Sequence, residues 1–275
     1  MLIVLASAGI LWASYTPEWN RSIAPYRIAS NLYYVGTNYL ASFLLVTPKG
    51  DILINPDYEE SVPVIRSSVE KLGFHFSDIK VILISHAHDD HAAGCALAKQ
   101  LTGAKLMVMD ADVAEIESGG TGDFQYHQHW KPVKVDRILH DGDNVQLGGF
   151  SLTAHLTPGH TRGCTTWTNE LNDGGHLYRV VIVGSANVNP GYQLVDNKQY
   201  PQIAADYEKT FRVLRALPCD IFLGAHGEYY NMDAKLKRLT ASGINPFIDP
   251  QGYQAFVDQH ERAFEQKLAE QRRSR

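Results

Sequence analysis

The chain predicts an α/β fold of four layers, two β-sheets packed face to face between outer helices. Three observations lead there. Strand and helix patterns alternate from Tyr26 to the C-terminus. The alternation runs twice with no linker between the halves. Several strands are unbroken apolar runs, as in sheets covered on both faces. The 275 residues are 44% hydrophobic and 20% charged, an ordinary globular composition, and long enough to bury a substantial core without staples.

In chain order, residues 26–34 and 41–54 read as antiparallel strands, the second folded over a turn at Pro48-Lys49-Gly50. Val62, Ile65, Val69 and Leu72 recur at helical spacing. Val81-Ile82-Leu83-Ile84 is an apolar run with the character of a buried strand. A helix is expected from about His91, then a strand over 105–109. In the second half, strands are expected over 133–139, 150–156, 164–168 and 178–183, with Asn172-Asp173-Gly174-Gly175 turning between the last two. Ile203, Tyr207, Phe211 and Leu214 share a helix face, Ile221-Phe222-Leu223 is a short buried strand, and helices follow from Asp233 and Gln251. Residues 118–130, Gly-rich and then rich in aromatics and histidine, read as a long surface loop.

Residues 2–13 form an apolar run of leader length, shorter than the roughly 20 residues that span a bilayer. Residues 1–14 therefore read as a signal peptide or leader remnant, the alternative being an N-terminal element of the mature fold. Its start carries no Lys or Arg; the first basic side chain is Arg21. Export to the periplasm is expected, with residues 15–275 forming a single domain. The net charge of −5 leaves no basic footprint for nucleic acid or an anionic membrane. Three cysteines, Cys95, Cys164 and Cys219, are too few for a disulfide framework.

The chemistry concentrates at Ser85-His86-Ala87-His88-Asp89-Asp90-His91, three imidazoles and two carboxylates within six residues at a strand end. In extended chain, His86 and His88 point to one side, so both can face one metal. As the backbone turns into a helix, Asp90 and His91 can be aimed at a neighbouring position. Such nitrogen and oxygen donors suit zinc. His160, in Thr157-Pro158-Gly159-His160-Thr161, and His226, in Gly224-Ala225-His226-Gly227, also follow strands. Either alone reads as structural; with the first cluster they make six ligands.

The pattern His86-x-His88-x-Asp90-His91, then His160, then His226, resembles the metallo-β-lactamase superfamily, over nearly all of the chain from about Tyr26. That superfamily also holds thioesterases, lactonases, nucleases and persulfide dioxygenases, so the motif implies fold and metal site, not substrate. Thioesterase and lactonase branches carry a metal-bridging aspartate after the strand ending near Val183; here stands Gly184-Ser185. Ser185 is not the cysteine ligand of another β-lactamase subclass either. This serine, the stretch from Thr157 to Trp167, and Val188-Asn189-Pro190-Gly191-Tyr192 resemble subclass B3.

The resemblance implies the αβ/βα metallo-β-lactamase fold and two Zn2+ ions, one on His86, His88 and His160, the other on Asp90, His91 and His226. It implies zinc-dependent hydrolysis of the β-lactam amide of penicillins, cephalosporins and carbapenems by a metal-bound hydroxide, giving antibiotic resistance. Asp90 would also orient the nucleophile, and Tyr192 matches a position proposed to assist the carbonyl oxyanion, or else is a packed aromatic. Ser185 matches the serine that holds the substrate carboxylate, and Asn189 is a second donor or a turn residue. Asn187 stands where some relatives have another serine. Phe124, Tyr126 and Trp130 supply an apolar wall or pack their loop. Relatives often bridge the cysteine of Ala216-Leu217-Pro218-Cys219-Asp220 to a partner near the C-terminal helix, but Tyr253 stands there, so no such bridge is expected. His260 shares a helix face with Phe256 and Phe264 and reads as packing. The partner is a small molecule, with no nucleic acid or membrane, and the protein a monomer. The alternative is another hydrolase of the fold, acting on lactones or thioesters.

Overall fold

The computed structural model describes residues 16–126, 128–239 and 245–274; the leader expected at 1–14 lies outside them. The first sheet comprises β1 (Tyr26–Ala29), β2 (Leu32–Tyr34), β3 (Phe43–Thr47), β4 (Gly50–Ile54), β5 (Ile79–Leu83), β6 (Lys105–Met109) and β7 (Arg137–Leu139), side by side in chain order. Between them run α1 (Ser61–Lys71), α2 (Asp89–Ala92), α3 (Cys95–Thr102) and α4 (Asp110–Ser118). The second sheet has β8 (Asn144–Leu147), β9 (Phe150–Leu156), β10 (Thr165–Asp173), β11 (His176–Val183) and β12 (Ile221–Gly224), with α5 (Ile203–Ala216) before β12 and α6 (Met232–Leu236) and α7 (Pro250–Arg273) after it. Both sheets are mixed: β4 to β7 run parallel after an antiparallel start, and β12 lies parallel to β11 in an otherwise antiparallel sheet.

Side chains that alternate along a strand build the layers. On β4 to β6, Ile52, Ile54, Val81, Leu83, Met107 and Met109 enter the core shared with the second sheet. Their neighbours Leu53, Ile82, Leu106 and Val108 face a second core, under Val62, Ile65 and Val69 of α1, Ala98 of α3 and Ile116 of α4. Burial on both faces is why these strands read as unbroken apolar runs. Tyr207, Phe211 and Leu214 of α5, with Tyr253, Phe256 and Phe264 of α7, cover the second sheet. The expected two-sheet sandwich inside helices is what the chain forms.

The differences are local. Residues 26–34 are two strands, broken by a turn in which Ser30 has φ +47°. Helix α4 and strand β8 were not foreseen. Strand β8 alternates Val145 and Leu147 with polar neighbours and reaches β9 through Gly148-Gly149, whose φ values of +56° and +90° only glycine adopts freely. Of the strand expected over 133–139, only the last three residues join the sheet. Residues 133–135 are held by α4 instead, the Val135 amide donating to Glu117 Oε1 at 3.1 Å. All three cysteines are buried free thiols.

Candidate metal centre

The first motif begins where β5 leaves the sheet, and both sheets hold it. Ser85 donates its amide to Asn55 Oδ1 at 2.7 Å and accepts from the Thr165 amide, also at 2.7 Å. Trp167 Nε1 donates to the Ile84 carbonyl at 3.1 Å. Helix α2 starts at Asp89, and this change from extended to helical backbone re-aims Asp90 and His91 away from His86 and His88. His160 leaves β9 and His226 leaves β12, at the same rim.

One carboxylate ties two of these loops together. Asp112 of α4 accepts from the Ala87 amide at 2.9 Å, the Thr161 hydroxyl at 2.8 Å and the Gly163 amide at 2.7 Å. It is buried, and burial pushes its acidity weaker than an ordinary carboxyl's, against those three hydrogen bonds.

The histidines converge. The rings of His86, His88 and His160 lie 4.6–4.8 Å apart, and a ligating atom of each lies within 4.8 Å of the other two. Asp90 Oδ2 is 3.5 Å from both His91 Nε2 and His226 Nε2, and those two nitrogens are 3.1 Å apart. His86 also neighbours the second group, its ring 4.4 Å from that of His91. Burial, and then the other imidazoles, push the basicity of His86 well below normal. The same causes lower His91 and His226 to about 3. Burial likewise lowers His160. These rings are therefore neutral, the form that ligates metal. His88 differs: burial opposes its protonation, but Asp123 Oδ2 at 3.6 Å from Nε2 raises it overall.

The arrangement fits a metal. His86 Nε2 is buried with no hydrogen-bond partner, a costly state unless the atom serves as a ligand. The other ring nitrogens have polar neighbours: His160 Nδ1 is 2.9 Å from the Asn187 carbonyl, His88 Nε2 is 3.6 Å from Asp123 Oδ2 and His91 Nδ1 is 3.7 Å from Asp57 Oδ1. The Asn187 carbonyl fixes the His160 tautomer, with Nδ1 as the donor.

A cleft of about 460 Å³ opens over the cluster, lined by Trp19, Tyr39, Tyr58, Tyr126, Asn189 and Tyr229 among others, with no Lys or Arg among the described residues that line it. A larger depression, about 660 Å³, lies on the outer face of β9 to β11 and gathers none of the clustered side chains.

A family profile described as the Metallo-beta-lactamase superfamily matches residues 36–226. The chain belongs to that superfamily. Among solved structures, this superfamily member is similar to the native FEZ-1 metallo-beta-lactamase from Legionella gormanii, with 54% identity, TM-score 0.91, and coverage of 92% of this chain and 98% of the other. It is also similar to BJP-1, a subclass B3 metallo-beta-lactamase of Bradyrhizobium japonicum, at 37% identity and TM-score 0.87, covering 93% and 97%. Among curated proteins it matches a hydroxyacylglutathione hydrolase of Rhodopseudomonas palustris (strain BisB5), 28% identical over 193 residues, 70% of this chain but only 64% of that relative. The expected likeness to subclass B3 is borne out by these neighbours, which support a hydrolase of that type.

Around the cluster, the superfamily member differs from the expectations in detail. Tyr192 is 1% exposed and donates its hydroxyl to the His160 carbonyl at 2.8 Å, so it holds His160 and has no free hydroxyl to offer an oxyanion. Ser185 is likewise buried, its Oγ 3.2 Å from the Tyr229 hydroxyl and accepting from the Asn187 amide at 3.3 Å. Ser185 therefore sits just beneath the cleft, whose lining includes its two neighbours Asn187 and Tyr229. Asn189 does line the cleft, beside Tyr126 with which it shares a hydrogen bond. Of the three expected wall aromatics only Tyr126 lines it; Phe124 packs against Tyr192 and Tyr200, and Trp130 sits in the outer core. His260 packs on Phe256, rings 4.0 Å apart.

Several contributors escaped the sequence reading. Trp19 and Tyr39 stack at 4.6 Å and flank His226, yet no periodicity marks residues 16–20 or 35–42. Asp57, Asp112 and Asp123 are lone carboxylates whose only signal was an acidic residue beside an apolar element.

Proposed function

We propose that this protein is a periplasmic β-lactam hydrolase working with two zinc ions. His86, His88 and His160 would hold one, and Asp90, His91 and His226 the other. The convergence of these six side chains from three strand ends carries the reading, with His86, His91, His160 and His226 held to low basicity by burial. Zinc bound there would acidify a coordinated water toward neutral pH and polarise a carbonyl. The chain supplies the rest. Asp90 Oδ2 lies 3.5 Å from His91 Nε2 and His226 Nε2, and a ligating oxygen of Asp90 lies within 4.8 Å of a His86 nitrogen, so it could orient the attacking water. Hydrolysis adds that water's oxygen to the lactam carbonyl, breaks the C–N bond and leaves the nitrogen to take a proton. Because the described residues that line the cleft include no Lys or Arg, the substrate carboxylate falls to neutral donors, Asn189 first, and to the cations. Tyr126, Trp19 and Tyr39 offer apolar faces to the substituents.

Thioester hydrolysis is the weaker reading. The curated relatives that carry that name are less similar, and Ser185 offers no bridging carboxylate. Purified protein mixed with nitrocefin or imipenem should abolish their lactam absorbance, EDTA should stop it and zinc restore it. Rapid turnover of acyl-lactones or glutathione thioesters with neither lactam touched would overturn the substrate class while sparing the metal centre.

A further inference from the structure

Behind His91 the fold has buried a carboxylate that no step above uses. Asp57 and His91 are both 0% exposed. Asp57 Oδ2 accepts from Ser42 Oγ at 2.6 Å. Its other oxygen, Oδ1, lies 3.7 Å from His91 Nδ1, and neither of those two atoms has a hydrogen-bond partner. Two buried, unpartnered polar atoms facing each other are costly unless they serve one another, and a shift of about 1 Å makes them a hydrogen bond.

The backbone supports a purpose. Asn55 and Asp57 both have positive φ, +59° and +57°, a region that asparagine and aspartate tolerate but that still costs energy. The turn brings both side chains to the metal loop at once: Asn55 Oδ1 receives the Ser85 amide while Asp57 faces His91. It is clamped from the other side, since the Gly94 amide donates to the Asp57 carbonyl at 2.7 Å, and a Cβ on Gly94 would lie 2.5 Å from the Pro56 carbonyl oxygen.

We propose that Asp57 is the positioning residue of the second half-site: its carboxylate accepts a hydrogen bond from His91 Nδ1–H, fixes the ring's tautomer and aims Nε2 at the point shared with Asp90 and His226. The proposal rests on the two-zinc reading but not on the substrate. A carboxylate behind a ligating imidazole both orients it and strengthens it as a donor.

Zinc titration of the full chain against a chromophoric chelator tests this. Asp57→Ala should weaken the second equivalent about 10–100-fold and leave the first within about threefold. In cobalt-substituted protein, only the visible band of the second equivalent should change. Asp57→Asn, which keeps an acceptor oxygen for Nδ1–H and the Ser42 contact, should recover part of the loss. Melts of the metal-free proteins report folding; if Asp57→Ala does not fold, Asp57→Asn carries the test, with an expected loss of up to about tenfold. Wild-type affinity in the foldable variant, or equal weakening of both equivalents, overturns the proposal. Wild-type protein and His91→Ala run alongside: if the former binds fewer than two zincs, or the latter keeps both, it is the two-zinc reading that fails.

Discussion

In the first half-site, His88 and His160 are backed by groups on loops, Asp123 in the stretch after α4 and the carbonyl of Asn187 after β11, while His86 Nδ1 lies 3.3 Å from the Ser85 hydroxyl. In the second, His91 faces Asp57, in a strained turn sealed at the end of β4. The first half-site is all imidazole; the second contains a carboxylate. Placing rigid support under one half and loop support under the other makes the cluster asymmetric before any metal arrives. The half-site braced by the core should keep its geometry when loops change, and the other should be the one that loop substitutions tune.

Metal removal is the largest test. Exhaustive chelation should lower lactam turnover by on the order of 10³-fold or more, because the residues alone include no activated nucleophile. Single ligand changes then separate the halves. His160→Ala and His226→Ala should each lose one zinc by elemental analysis and keep the other, with turnover down by about 10²-fold or more. Two tightly held zincs in His160→Ala would show that the first assignment is wrong. Next comes Asp112→Ala, which orphans three buried donors on two ligand-bearing loops. Each such donor costs about 1–3 kcal/mol, so urea unfolding of metal-free protein should show a loss of about 3 kcal/mol or more. A loss below about 1 kcal/mol would mean that water replaces the carboxylate there.

The layers were legible because burial on both faces writes itself into Val81–Ile84 and the α5 stripe as apolar pattern. The cluster was legible because six side chains of metal-binding type at strand ends are a pattern of residue type, which the resemblance then interpreted. What escaped was whatever depends on contacts across the fold. Asp57 is one carboxylate among many until the turn at Asn55 and Pro56 is built, and Trp19 joins the cleft through contacts across the fold, stacking on Tyr39 and accepting from the Thr37 hydroxyl. Helix α4 was hidden by its acidic first turn and short apolar face. Tyr192 was assigned by position in a motif, and position does not say that its hydroxyl binds the His160 carbonyl.

Two smaller substitutions sharpen the contrast between the halves. Asp123→Asn removes the charge behind His88 and should weaken the first zinc equivalent by about tenfold, leaving the second unchanged in the same chelator titration. Loss at the second equivalent instead would mean that the loop supports both. Tyr192→Phe should do least. It deletes one buried hydrogen bond to the His160 carbonyl, about 1 kcal/mol of stability, while the ring stays packed between Phe124 and His160. Because the hydroxyl is committed to that carbonyl, kcat should stay within about threefold of wild type, far short of the roughly 10²–10³-fold cost of removing an oxyanion donor. A fall in kcat of that larger size, with zinc content unchanged, would return Tyr192 to the chemistry and show that the hydroxyl leaves His160 when substrate binds.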